Sequence, residues 1–184
     1  PSLLSFHKKL NNFDIYFITD YLETENLKLI LQMRDFDGKL IKNWIQKFKS
    51  LPNNSKKILN VNYEDLIVNE KFLKDKYLHA TVYKDDRKLT EKIEYLTNFK
   101  NLTLTKPLFS YEVKINKDYF EISFNSSNLV KNLFVSSSIE NNFSDNYFDL
   151  VPFQEKLIKI KRERFQSISS FKQSLSFTSL YDTY

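Results

Sequence analysis

The chain has 184 residues, 41% of them apolar, and a net charge of +5. Glycine occurs once and cysteine not at all, so glycine-rich phosphate loops, disulfides, zinc–thiolate sites and cysteine nucleophiles are excluded. Most positive charges are lysines interleaved with acidic residues, and no run of 18 apolar residues occurs. We therefore expect neither nucleic-acid binding nor membrane insertion.

The first half of the sequence alternates apolar and polar residues with the period of two that is typical of β-strands. The alternation is clear over 13–18 and 27–34, and the Asp37-Gly38 pair that follows predicts a hairpin turn. Residues 40–48 also fit a helical stripe, but the turn before them favours a strand. Further strands are predicted at 58–61, 77–83 and 92–99, and 66–73 is predicted to be irregular with room for one helical turn.

A link over 102–107 precedes a second set of strands. These are predicted at 109–115, 120–124, 129–135, 147–150, 156–160 and 175–178. No long amphipathic helix is needed, and Asn, Asp and Ser must form the turns because glycine is nearly absent. The pattern predicts an all-β chain of two antiparallel β-sandwiches in tandem, residues 1–103 and 104–184.

One segment is more specific than the strand pattern. Residues 142–152 read NFSDNYFDLVP, which resembles the FSDNYFDL-x-P signature of the terminal immunoglobulin-like domain in β-mannosidases of glycoside hydrolase family 2. The hairpin at 35–40, the link at 99–104 and the end at 179–184 are similar to the same family. The resemblance therefore covers nearly the whole chain and identifies both sandwiches as immunoglobulin-like. Phe153 departs from it, because the family often has glycine there.

The resemblance implies a role beside a catalytic domain. Family members are retaining exo-glycosidases that remove terminal β-linked mannose, and their two catalytic glutamates lie on a preceding TIM barrel. A barrel of about 250 residues does not fit in this chain. We therefore expect a fragment with a native C-terminus and no catalytic residue, cofactor or metal. It would pack on and stabilise the upstream barrel of the same polypeptide, in a periplasmic, secreted or lysosomal enzyme.

Four features allow other interpretations. Asn69-Glu70 matches the family's acid/base glutamate as a dipeptide only, so a solvated turn is favoured. Oxygen donors at Ser144, Asp145, Asn146 and Asp149 suggest calcium, but Asx-turn capping is favoured because no glycine bends the loop. His7 and His79 lack partner spacing and are interpreted as ordinary strand or surface residues. Five aromatic residues could form a sugar platform, although core packing is favoured: Tyr16, Trp44, Tyr63, Tyr83 and Tyr147.

The signature itself is interpreted as a folding element. In strand register, Phe148 and Leu150 share a face and enter the core of the second sandwich, with Asn146 at its edge, where its amide bonds a backbone. The predicted structural signature comprises Asp145, Asn146, Tyr147, Phe148 and Asp149. The alternative function is a carbohydrate-binding module for mannan or another mannose-containing glycan.

Overall fold

The computed structural model describes residues 2–10, 12–66, 70–138, 142–162 and 167–183. Strands make up more than half of the described residues and helices only a small part, which confirms the all-β prediction. The chain divides into two compact units, residues 1–35 with 39–103, and residues 36–38 with 104–184. In the described ranges, no helix is both long and apolar enough to cross a membrane.

Over the residues that the structure describes, the first unit is a sandwich of seven antiparallel strands. They are β1 (Ser2–Lys8), β2 (Asn12–Thr19), β3 (Asn26–Asp35), β4 (Leu40–Lys49), β5 (Asn54–Asn62), β6 (Lys76–Lys84) and β7 (Arg87–Tyr95). One sheet has the order β1-β2-β5 and the other β4-β3-β6-β7. The short helix α1 (Tyr63–Leu66) and 3-10 turns at Glu70–Leu73 and Phe99–Asn101 complete the unit.

The core of the first unit follows the predicted alternation. Phe13, Ile15 and Phe17 of β2 are buried together with every second residue of β3, Leu27 to Met33, and the alternating β6 residues Leu78, Ala80 and Val82. Burying one face of each sheet against the other removes apolar surface from water, which is the main stabilising term of such a sandwich.

The β3–β4 hairpin confirms the turn predicted at Asp37-Gly38. Gly38 has a φ of 83°, a left-handed conformation that glycine adopts without a steric penalty. The Lys39 amide donates to the Asp35 carboxylate at 2.8 Å, and the Asp35 amide donates to the Lys39 carbonyl at 3.1 Å. Residues 40–48 are therefore a strand, as the turn indicated, and not the helix that the stripe also allowed.

The boundaries of some strands differ from the prediction. The strand predicted at 92–99 begins at Arg87 and ends at Tyr95, because the two-residue turn Asp85-Asp86 returns the chain at once to pair with β6. Phe99 lies in a 3-10 turn instead. Strand β1 was not predicted, because Leu4 is the one buried residue of Ser2–Lys8 and the segment lacks the alternation of β2 and β3. It pairs with β2 over its whole length.

The second unit is a smaller sandwich. Its strands are β8 (Phe109–Asn116), β9 (Tyr119–Ser126), β10 (Val130–Ser137), β11 (Phe148–Leu150), β12 (Lys156–Lys161) and β13 (Leu175–Thr178), ordered β12-β9-β8 and β11-β10-β13. Helix α2 (Ile168–Ser174) begins at a capping box formed by Ser167 and Ser170. Its Phe171 stacks on Phe120 at 4.5 Å between ring centroids and closes the core. A 3-10 turn, Leu180–Thr183, follows β13.

Turns without glycine use residues of several types. Asn53 and Asp85 adopt positive φ angles of 42° and 51°, as expected for Asn and Asp, but Lys117, Tyr147 and Phe153 do so as well, at 53°, 57° and 62°. Phe153 occupies the position where the resembled family often has glycine. Its backbone shows the reason, since this left-handed conformation disfavours a side chain.

Candidate functional site

The predicted signature lies where β11 enters its sheet beside β10. Strand β11 pairs with β10 through Leu133↔Phe148 and Val130↔Leu150, with a bulge between these pairs. Phe148 and Leu150 are buried in the core of the second unit, whereas Tyr147 is 64% exposed. Tyr147 is not part of β11, because its positive φ turns the chain before the strand begins.

Asn146 takes the place of a strand residue opposite Val135. Its Oδ1 accepts from the Val135 amide at 2.8 Å, and its Nδ2 donates to the Val135 carbonyl at 2.8 Å. The same oxygen accepts from the Tyr147 amide at 3.0 Å. One side-chain amide thus satisfies both backbone groups of a β10 residue beyond the end of β11, where they would otherwise lack a partner.

The two aspartates of the signature face lysines. Asp145 accepts from the Asn146 amide at 2.9 Å and from Lys156 Nζ at 2.5 Å. Asp149 accepts from the Asn132 amide at 2.8 Å and from Lys131 Nζ at 3.0 Å, with both side chains of this ion pair largely buried. In the part of the chain that the structure describes, no group of three or more His, Asp or Glu side chains is placed to hold a metal ion.

A third set of contacts fixes the loop to β12. Ser144 donates its amide to the Lys159 carbonyl at 2.8 Å, and its hydroxyl accepts from the Lys159 amide at 2.9 Å. The polar groups of 144–149 therefore bond mainly to the unit's own backbone and lysines. The Tyr147 side chain differs from them, because its ring is exposed and stacks on Phe134 with centroids 4.7 Å apart.

Asn146→Ala should destabilise the second unit by about 1–3 kcal/mol, because the Val135 amide and carbonyl lose their partners in a partly buried position. Thermal unfolding followed by circular dichroism measures this change. Asn142→Ala is the matched control, since Asn142 is exposed and lies in the same loop. An Asn146→Ala protein that melts like the parent but no longer binds a glycan would make the segment a ligand site.

The other candidate residues from the sequence, the aromatic residues of the first unit and the Asn69-Glu70 dipeptide, are not part of the signature segment. Trp44 and Tyr63 pack against the core of the first unit, Tyr16 lies 4.7 Å from the ring of His7, and Tyr83 lies beneath Lys28. Asn69 of the Asn69-Glu70 dipeptide lies outside the described residues. Of the five aromatic candidates for a sugar platform, Tyr147 is exposed and the other four are partly buried.

Two polar clusters in the first unit, each with a buried member, were not predicted from the sequence. Asp14 is fully buried on β2, where it accepts from Asn60 Nδ2 at 2.7 Å and forms ion pairs with Lys9 and Lys57. His79 is buried on β6, and its Nε2 lies 3.0 Å from a Glu91 carboxylate oxygen. Asp14 and His79 occupy polar positions of their strands, so the local pattern carried no signal of their burial, whereas Glu91 is exposed.

These partners make the first unit sensitive to acid. The hydrogen bond from Lys9 lowers the pKa of Asp14 from 3.8 to about 2, and that from His79 lowers the pKa of Glu91 from 4.5 to about 2. Folded carboxylates with lowered pKa values stabilise the protein above the unfolded pKa, and this stability is lost as the pH falls through the folded value. Urea unfolding should therefore shift to lower urea between pH 4.5 and about 2. Asp14→Asn with Glu91→Gln should flatten that slope; an equal slope in this variant would contradict the assignment.

Comparison with known protein families identifies both units. Residues 11–101 match the model of the mannosidase Ig/CBM-like domain, and residues 104–183 match that of the Ig-fold domain of mannosidases. The two units of the chain belong to the immunoglobulin-like domain families of mannosidases. The two matches follow one another along the sequence and together cover nearly the whole chain.

Solved structures share the fold of these mannosidase-type domains. A β-D-mannosidase from Dictyoglomus thermophilum aligns over 96% of the chain with a TM-score of 0.75 and 19% identity. The exo-chitosanase CsxA from Amycolatopsis orientalis aligns over 96% with a TM-score of 0.59 and 9% identity. The chain spans 21% and 25% of those proteins, and identities this low show the fold alone. No curated protein sequence matches the chain.

Proposed function

We propose that the chain is a non-catalytic region of a β-mannosidase of glycoside hydrolase family 2, and that it packs on and stabilises an upstream TIM barrel of the same polypeptide. The consecutive matches of 11–101 and 104–183 to mannosidase domains carry this proposal. The mannosidase from Dictyoglomus thermophilum supports it, because the region alike in fold is only 21% of that enzyme. The inward-bonded polar groups of the signature agree with a supporting role.

Heat inactivation tests the stabilising role. In a β-mannosidase polypeptide that carries this chain, Phe148→Ala should lower the temperature at which half of the mannosidase activity is lost. Tyr147→Ala is the matched control, because that neighbouring ring is largely exposed, and it should leave the temperature nearly unchanged. An inactivation temperature that is the same with and without residues 1–184 would overturn the proposal.

The chain by itself should not hydrolyse a chromogenic β-mannoside. Retaining hydrolysis requires a nucleophilic and an acid/base carboxylate about 5–5.5 Å apart, and we place that pair on the barrel. The measurement is the release of chromophore by a purified chain against a buffer blank. Turnover that is lost on Glu70→Gln would contradict this expectation and would return the catalytic interpretation to Asn69-Glu70.

A carbohydrate-binding module is the second candidate function. Two observations favour it: the family that matches 11–101 is described as CBM-like, and the Tyr147 ring is exposed in the other unit. Titration of the chain with neutral manno-oligosaccharides separates the two candidates. Saturable binding in the millimolar range or tighter supports the module, and its loss on Tyr147→Ala would assign the site to that ring.

A further inference from the structure

A cleft of about 630 Å³ opens on the first unit at the end of its four-stranded sheet. It lies where β3 begins, where β4 ends and beside the turn that follows β6. Its volume falls in the range of about 300–1,000 Å³ that is usual for small-molecule sites. The polar part of its lining consists of Asn26, Lys28, Lys47, Lys49, Tyr83 and Asp85.

The lysines of this basic cleft concentrate positive charge. Lys28 and Lys47 are direct partners in the β3–β4 ladder, and like charges placed opposite each other on a sheet repel. Within the described residues, neither they nor Lys49 form an ion pair. The neighbouring Glu25 is already held by Lys84 at 2.8 Å, so it does not neutralise them. Three lysines against the single carboxylate of Asp85 leave the lining with a net positive charge, which attracts anionic ligands.

One contact orients a lysine of the cleft before any ligand binds, and a second adds a neighbouring ammonium group. The Lys28 ammonium lies over the Tyr83 ring, 5.6 Å from its centroid, which restricts that long side chain. Lys56 Nζ donates to the Lys49 carbonyl at 3.0 Å and brings a fourth ammonium group to the same strand end. Side chains that are already ordered lose less conformational entropy on binding.

The side chains of Asn26 and Asp85 indicate which kind of anionic ligand fits the cleft. A bare anion would gain nothing from the Asp85 carboxylate, which repels it. Sugar hydroxyls, in contrast, donate to a carboxylate and exchange hydrogen bonds with an amide such as that of Asn26. The lining therefore matches a molecule that carries both an anionic group and hydroxyl groups.

We propose that the basic cleft binds a saccharide that bears a carboxylate or phosphate group. Lys28 and Lys47 bind the anionic group, and Asn26 and Asp85 bind hydroxyl groups of the sugar. This site is separate from the barrel-packing role and from the binding of neutral mannosides, because charge decides its ligand.

Calorimetric titration of the whole chain tests the site with four probes. They are a disaccharide with one glucuronic acid, a hexose phosphate, a neutral disaccharide of the same size, and inorganic phosphate. We expect saturable binding of an acidic sugar that weakens as salt is raised. The tighter of the two acidic sugars identifies the anionic group.

Lys28→Gln with Lys47→Gln should weaken binding about tenfold or more, since each lysine contributes a charge-assisted hydrogen bond. Lys114→Gln with Lys161→Gln removes the same charge from the second unit and should leave the affinity unchanged. Equal affinity for the neutral disaccharide or for inorganic phosphate would overturn the proposal, as would equal weakening by both double variants. Heat inactivation tests the barrel-packing role independently, so the two can fail separately.

Discussion

Phe148→Ala is expected to lower the free energy of unfolding of the second unit by about 3–5 kcal/mol, as for other buried aromatic residues replaced by alanine. Phe148 is 8% exposed and lies in the core, with its ring 5.7 Å from that of Phe124. The Lys156 ammonium lies 5.1 Å from the same ring and covers its outer side. Truncation would leave a cavity that the short strand β11, paired to β10 at two positions, cannot fill by shifting.

The single tryptophan makes this result specific to one unit. Trp44 lies on β4, so its fluorescence reports the first unit, whereas circular dichroism reports both. Phe148→Ala should shift a dichroism transition to lower urea and leave the Trp44 transition in place. Tyr147→Ala removes a comparable ring next to it that is 64% exposed, and should change stability much less. Equal shifts in the two variants would show that burial does not set the effect.

Local patterns predicted most of the strands because the relevant forces act between near neighbours. The alternation over β3 follows from one buried face, and the turn at Gly38 follows from a backbone conformation that few residues adopt. The burial of Phe148 and Leu150 was expected from the same period of two. Such features depend on the residue itself and on its position in a strand.

Features that depend on distant partners were not predicted. Asp14 reads as an ordinary polar strand position, and its burial becomes visible only once Asn60 and Lys57 pair beside it. The basic cleft likewise joins Lys28, Lys47 and Tyr83 from three strands that the sequence alone does not order. The left-handed backbone of Phe153 is a third case, because the hydrogen bond from its amide to the Ser126 carbonyl fixes the loop.

Asp149→Ala should destabilise the second unit by about 3 kcal/mol, the lower end of the range for breaking a buried ion pair. The side chains of Lys131 and Asp149 are 8% and 13% exposed, so removing the carboxylate leaves an ammonium group with little water around it. The Asn132 amide loses its acceptor at the same time. Asn132 has a φ of 51° within the β10 bulge, so Asp149 stabilises an unfavourable backbone conformation as well as a charge.

Asp149→Asn separates these two contributions. Asparagine keeps an oxygen that can accept from the Asn132 amide but removes the negative charge that faces Lys131. If the hydrogen bond to the Asn132 amide contributes most of the stability, urea unfolding of Asp149→Asn should resemble that of the parent. If the ion pair with Lys131 contributes most, it should resemble that of Asp149→Ala. Because the pair is shielded from solvent, raising the salt concentration should change the Asp149→Ala difference little. A difference that disappears in high salt would mean that Asp149 acts as a surface charge, and the signature would then be free to serve a ligand.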